Sequence, residues 1–169
     1  MNFRINEFVL DAKVVAVYTY EICDSDGKTV SSPTFDFLQE LHKKSPQDAQ
    51  ILKSQILNTA NVYGIEGRNE VCTGRDGLFA IPSKYEDGKK ITSRYRIFYW
   101  VLNINTIIIG GGCFKPEKIE GVQIKAYQEV SECENAAEEL CSVSKYIESL
   151  DKTQAISIEE IEKDEILEL

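Results

Sequence analysis

Apolar positions follow two rhythms along this chain. Residues 13–22, KVVAVYTYEI, are β-branched and aromatic, the composition of a strand. CDSDGK at 23–28 is a turn centred on Asp-Gly, and a weaker extended piece follows at 28–31. Residues 94–113, RYRIFYWVLNINTIIIGGGC, hold two apolar runs around Asn103 and Asn105 and read as a β-hairpin. Both runs are apolar at almost every position, which predicts strands covered on two faces near the middle of a sheet. Leu78–Ile81 predicts a further strand stopped by Pro82, and Glu70–Thr73 a short one.

Helical spacing appears between and after these strands. A helix opens at Thr34, with Phe35, Leu38 and Leu41 recurring every three residues. Ser45 predicts the cap of a second helix, with Pro46 in its first turn and Ile51, Leu52, Ile56 and Leu57 in its stripe. Gly64 ends it, and the near absence of a loop between the two predicts an antiparallel helical hairpin. GVQIKAYQEV at 121–130 fits either a strand or the approach to a helix. Ser131 and Glu134 form a capping box, and Val130, Cys133, Ala137, Leu140, Ser144 and Ile147 make one narrow seam of a helix reaching about Leu150. Ser157 and Glu160 predict a final acidic helix over 158–168. The sum is an α+β chain: an N-terminal strand and a helical hairpin packed on a mainly antiparallel sheet, with a C-terminal acidic helical extension. The expected division is an α+β domain at 1–128 and the extension at 129–169, packed on the same domain.

Charge sharpens this division. The net charge is −9, but residues 1–128 hold 16 Lys/Arg against 15 Asp/Glu, while residues 129–169 hold 3 against 13. The acidic end either adds core as solvated helices or lies over a basic rim and opposes anion binding. Five cysteines without a CxxC pair indicate neither a disulfide framework nor a zinc site, and reduced thiols in a cytoplasmic protein are the expectation. The N-terminus does not resemble a signal peptide, and the apolar runs are too short to span a membrane. No nucleotide, dinucleotide, zincin or EF-hand pattern occurs, so no cofactor and no metal are expected.

The candidate chemistry is cationic. Arg94 and Arg96 sit two apart, so on a strand they share a face at the mouth of an apolar hairpin. Buried guanidiniums cost solvation unless an anion or a carboxylate meets them. Lys84, Lys89, Lys90, Lys115 and Lys118 are near in sequence. Tyr85, Tyr95 and Tyr127 could stack on a splayed base. The lone histidine, His42, lies beside Lys43 and Lys44 on an exposed helix face. A strand-end arginine is also an ordinary salt-bridge partner, the lysines of 84–93 an ordinary solvated connector, and Gly110–Gly112 an ordinary bulge.

FLQEL at 37–41, YG at 63–64, DGLFAI at 76–81, SRYRIFYW at 93–100, the strand at 106–109 and CFKPEK at 113–118 together resemble the RelE/HigB-type toxin superfamily, in its phage-derived HigB-like branch. The resemblance covers roughly residues 14–128. It implies a compact α+β fold, ribosome-dependent cleavage of mRNA, and a small antitoxin as partner. It places Arg96 at the RNA phosphate and Lys115 at the basic position after the last central strand, with Lys118 assisting. Independently of the resemblance, a lysine whose pKa is lowered by neighbouring cations could serve as base, which makes Lys84, Lys89 and Lys115 catalytic candidates. Arg94, Lys89, Lys90, Tyr95 and Tyr127 would bind the RNA. The glutamate and arginine that the family often carries after its DGL-aromatic step are replaced here by Ala80, Ile81, Pro82 and Ser83. Two other readings stay open: a non-catalytic, phage-related or regulatory binding protein of the same fold, and an unrelated α+β domain whose arginines are purely structural. Oligomeric state is open as well.

Overall fold

A computed structural model describes residues 1–65, 77–81, 85–86, 89–90, 93–154 and 167–168. The strands are β1 (Asn2–Glu7), β2 (Ala16–Cys23), β3 (Thr29–Ser31), β4 (Leu78–Ile81), β5 (Tyr85–Glu86), β6 (Lys89–Lys90), β7 (Tyr95–Asn103), β8 (Thr106–Phe114), β9 (Lys118–Ile119), β10 (Val122–Gln123) and β11 (Leu167–Glu168). The helices are α1 (Pro33–Lys44), α2 (Pro46–Asn58) and α3 (Ser131–Gln154), with a π-helical turn over Thr59–Tyr63. The main sheet runs β11-β1-β2-β8-β7-β4, with β3 on β2. Every pairing is antiparallel except β2 with β8.

This is the expected α+β architecture, and the central hairpin is covered on both faces. Ile97, Tyr99, Ile107 and Ile109 pack with Leu38, Leu41, Leu52 and Ile56 of the helical hairpin. Phe98, Trp100 and Ile108 pack with Cys133, Ala137, Leu140 and Ile147 of α3. The two-sided apolar character of 95–114 therefore reflects a three-layer arrangement, helices on each side of one sheet. The predicted seam of α3 is buried from Cys133 through Ile147. The helix runs four residues past the expected end, to Gln154.

Three glycines make the two helical layers fit. Between the pairs Ile97–Gly112 and Tyr99–Ile109 the register shifts, so Gly110 and Gly111 form a bulge opposite Phe98. A Cβ on Gly110 would stand 3.0 Å from Leu140 Cβ of α3, and one on Gly112 would collide with the Arg96 carbonyl and the Phe37 ring of α1. The parallel pairing of β2 with β8 ends at Tyr18–Ile108. Beyond it the buried Thr34 hydroxyl lies 3.2 Å from the Ile109 carbonyl and 3.0 Å from that of Gly110, and 2.6 Å from Thr19 Oγ1. Those contacts seat the first turn of α1 on the sheet and satisfy polar groups that burial would otherwise penalise.

Several expectations are corrected. Strand β1 was not anticipated, although Phe3 and Ile5 alternate with Asn2, Arg4 and Asn6, as a strand with one covered face requires. Leu167 and Glu168 pair with Phe3 and Asn2 as a strand, so the helix expected over 158–168 does not include them; residues 155–166 lie outside the described part. Residues 121–130 are neither a strand nor a helix entrance alone: Val122–Gln123 closes a short hairpin with Lys118–Ile119, and a 3-10 turn at Tyr127–Glu129 leads into α3. Ser45 stands at the expected cap position, but its hydroxyl donates to the Asp48 carboxylate at 2.5 Å and not to the helix backbone. Cys113 and Cys133 are joined by a disulfide, so the cysteines are not all reduced. They are 20 residues apart, and only the packing of the first turn of α3 against the end of β8 brings their Cα atoms to 5.1 Å. Cys23 and Cys141 are buried thiols. The strand expected at Glu70–Thr73 lies outside the described residues. Among the described residues no helix is long and apolar enough to cross a membrane.

Candidate nucleic-acid interface

The open end of the β7–β8 hairpin gathers the cations that sequence separates by about 20 residues. Tyr95 pairs with Phe114 and Arg96 with Cys113. One step further out, the Lys115 amide donates to the Arg94 carbonyl at 2.9 Å. Arg94 and Lys115 are thus held side by side by the backbone ladder. The β9–β10 hairpin follows, carrying Lys118 and turning through Glu120 (φ 49°) and Gly121 (φ 82°). Lys118 and Lys125 are exposed.

The two arginines have different environments. Arg94 Nη2 lies 3.2 Å from Glu117 Oε2, with side chains 46% and 63% exposed. An ion pair this open contributes between about 0 and 1 kcal/mol. A phosphate can therefore displace Glu117 at small cost. Arg96 starts on the α3 side of the sheet, opposite Cys113, and is half-buried. Its Nη1 donates to the carbonyls of Ser93 at 2.7 Å and Tyr95 at 2.9 Å. These bonds fix the direction of the guanidinium.

Around them, Lys115 Nζ donates to the Lys125 carbonyl at 3.2 Å. Glu129 is occupied by the amides of Lys125 and Ala126, at 3.1 and 2.8 Å, so it caps the approach to the 3-10 turn. Tyr95 is half-buried with its ring centroid 5.0 Å from that of Phe114. Tyr127 is corrected as a base-stacking residue: it is 6% exposed and packs against Phe98 at 5.2 Å in the α3-side core. Its position two residues before Glu129 gave no hint of this, because a 3-10 turn points it inward. Lys84 lies outside the described residues. Lys89 and Lys90 form β6 opposite Glu86 and Tyr85 of β5, a separate two-stranded ribbon.

The backbone ladder therefore joins Arg94, Arg96 and Lys115 at one corner, with Lys118 on the hairpin that follows, and brings in Lys125, which was not among the candidate site residues. That corner can neutralise phosphates. Arginine cannot act as a base, because its pKa exceeds about 12. Attack by a ribose 2′-hydroxyl would need a lysine or another group for proton transfer. Among the described residues no cluster of His, Cys, Asp and Glu suited to a metal ion occurs. No family model matches this chain, and no curated protein or solved structure gives a match to it.

Proposed function

We propose that this chain is a RelE/HigB-like toxin that engages ribosome-associated mRNA through its cationic corner and cleaves it, with a small antitoxin as its partner. The observation that carries this reading is the backbone bond between Lys115 and Arg94, which sets two cations together at the rim of the central hairpin, with Arg94 46% exposed. The helical hairpin packed on the sheet also supports it, because the resemblance implies that compact scaffold. A second reading, a non-catalytic RNA-binding module of the same fold, is favoured by the withdrawal of Tyr127 into the core and by the engagement of Arg96 with two carbonyls.

Induced expression of the wild-type chain, Arg96→Ala and the double variant Arg94→Ala/Lys115→Ala, with primer-extension mapping of mRNA ends, separates the two. The toxin reading expects growth arrest and new mRNA ends that both variants abolish. Normal growth with intact mRNA, alongside RNA binding that the double variant weakens, would establish the binding module. Absence of RNA binding in the wild type would remove both readings.

A further inference from the structure

On the opposite side of the sheet from α3, the helical hairpin leaves a pocket of about 400 Å³ between α1, α2 and Phe8. That volume lies in the ordinary range for small-molecule sites, roughly 300 to 1,000 Å³. Its walls come from Phe35, Leu38 and His42 on α1, spaced three and four residues apart on one helix face, and from Lys53 and Leu57 on α2, spaced by four. Three of its features bear on what it would hold.

The first is polarity along its length. Phe35 and His42 are seven residues apart, so about 10 Å of helix separates them. The Phe8 and Phe35 ring centroids are 5.2 Å apart, which places Phe8 at the Phe35 end. α2 follows α1 after the single residue Ser45 and supplies Lys53 and Leu57 to the other wall. One end is aromatic, the imidazole of His42 stands at the other, and the Lys53 ammonium faces the same pocket from α2.

The second feature is sign. The ionisable groups lining the pocket are His42 and Lys53, both cationic when charged, in a chain whose net charge is −9. The third is exposure. Phe35 is 51% and Leu57 50% exposed, an apolar surface that water covers at a cost. Leu167 lies on the other side of the sheet, paired with Phe3 and packed in the α3-side core.

From this geometry we infer a binding site for a small amphiphilic carboxylate, its aliphatic or aryl body between Phe8, Phe35, Leu38 and Leu57 and its carboxylate towards Lys53 and His42. The site is independent of the cationic corner and of the function proposed for it.

Octanoate is the probe, titrated into the ¹⁵N-labelled full-length chain and followed by amide shifts. Octyltrimethylammonium and an acidic amphipathic peptide serve as comparisons. The expected result is saturable shifts confined to residues 8, 35–42 and 53–57, with a dissociation constant between about 0.1 and 1 mM for a ligand this small. Lys53→Glu should weaken octanoate at least about fivefold and favour octyltrimethylammonium, as a reversed charge requires. Leu57→Glu should weaken octanoate by a similar factor by charging the apolar end. Val122→Glu, at an exposed apolar residue elsewhere, should change nothing. All these positions are exposed enough for the variants to fold, which the unchanged dispersion of remaining amides would verify. Equal affinity for the anionic and cationic amphiphiles, shifts scattered over the surface, or binding of the peptide alone would each overturn the assignment.

Discussion

The phenol of Tyr20, at the centre of β2 and fully buried, donates a hydrogen bond of 2.7 Å to Glu139 on α3. This contact joins a strand to a helix 119 residues later and couples the α3 layer to proton activity. Burial, and then the neighbouring Glu139 charge, push the Tyr20 phenol far above its usual range. The folded state therefore keeps its proton when the unfolded chain has lost it, above about pH 10. The unfolded state then binds fewer protons, so stability present below about pH 10 is lost as pH rises further. Urea unfolding of wild type and Tyr20→Phe, run from neutral to strongly alkaline pH, should show a steeper alkaline loss in the wild type. At neutral pH the variant should cost about 1 kcal/mol. Equal alkaline slopes would refute this coupling.

Glycine substitutions along β8 should rank by what each new methyl meets. Gly112→Ala forces a methyl against the Arg96 carbonyl and the Phe37 ring, and a carbonyl of the ladder cannot yield. It should cost about 3 kcal/mol or prevent soluble expression. Gly110→Ala meets Leu140 Cβ at 3.0 Å and should cost roughly 1 to 2 kcal/mol. Gly111→Ala meets Ala136 Cβ at 3.6 Å, an ordinary contact, and should be the mildest of the three. Thermal melts of the three variants give the order directly.

The Cys113–Cys133 bridge closes a loop over a sequence separation of 20 residues. Loop-closure entropy assigns such a link about 3 kcal/mol. Reductant, or Cys133→Ser with Cys113→Ser, should lower the melting temperature. A non-reducing peptide map should recover the 113–133 link. Identical melts with and without reductant would mean the bridge contributes no stability.

Ser144 lies on the buried seam of α3, fully inaccessible, and among the described residues its hydroxyl finds no hydrogen-bond partner. An orphaned hydroxyl costs roughly 1 to 3 kcal/mol on protein scales. Ser144→Ala should therefore raise stability, with a higher urea midpoint and an unchanged m-value. A clear loss of stability would reveal a partner for this hydroxyl in solution.

Salt titration tests the cationic corner in number. On single-stranded RNA, each phosphate neutralised should contribute a slope of about −0.7 in log K against log salt. Lys118→Ala should reduce the slope by roughly one contact and weaken all sequences alike. Tyr127→Phe should leave RNA affinity unchanged, since the ring is buried against Phe98. A slope unaltered in Lys118→Ala would place the RNA elsewhere on the protein.

How much of this was legible beforehand differs from element to element. The helical hairpin, the central hairpin, its bulge and the α3 seam were readable because each is a local pattern: a period of about 3.6 or 2, a cap, or a run of glycines. β1 escaped notice because its six residues show only two apolar positions, Phe3 and Ile5, too few to outweigh their polar neighbours. The cationic corner was half legible. Arg94 and Arg96 are close in sequence, but their alignment with Lys115 depends on the register of a strand pair.

The amino-acid sequence by itself determined which stretches are apolar on one side or two, and hence that the central hairpin is covered on both faces. Tertiary structure decided what no periodicity encodes: that Cys113 meets Cys133, that Tyr127 turns inward, that Leu167 returns to β1, and that Arg94 stands exposed beside Glu117. The physical reason is range. Backbone propensity and alternation act over a few residues, whereas these four outcomes depend on packing between segments distant along the chain.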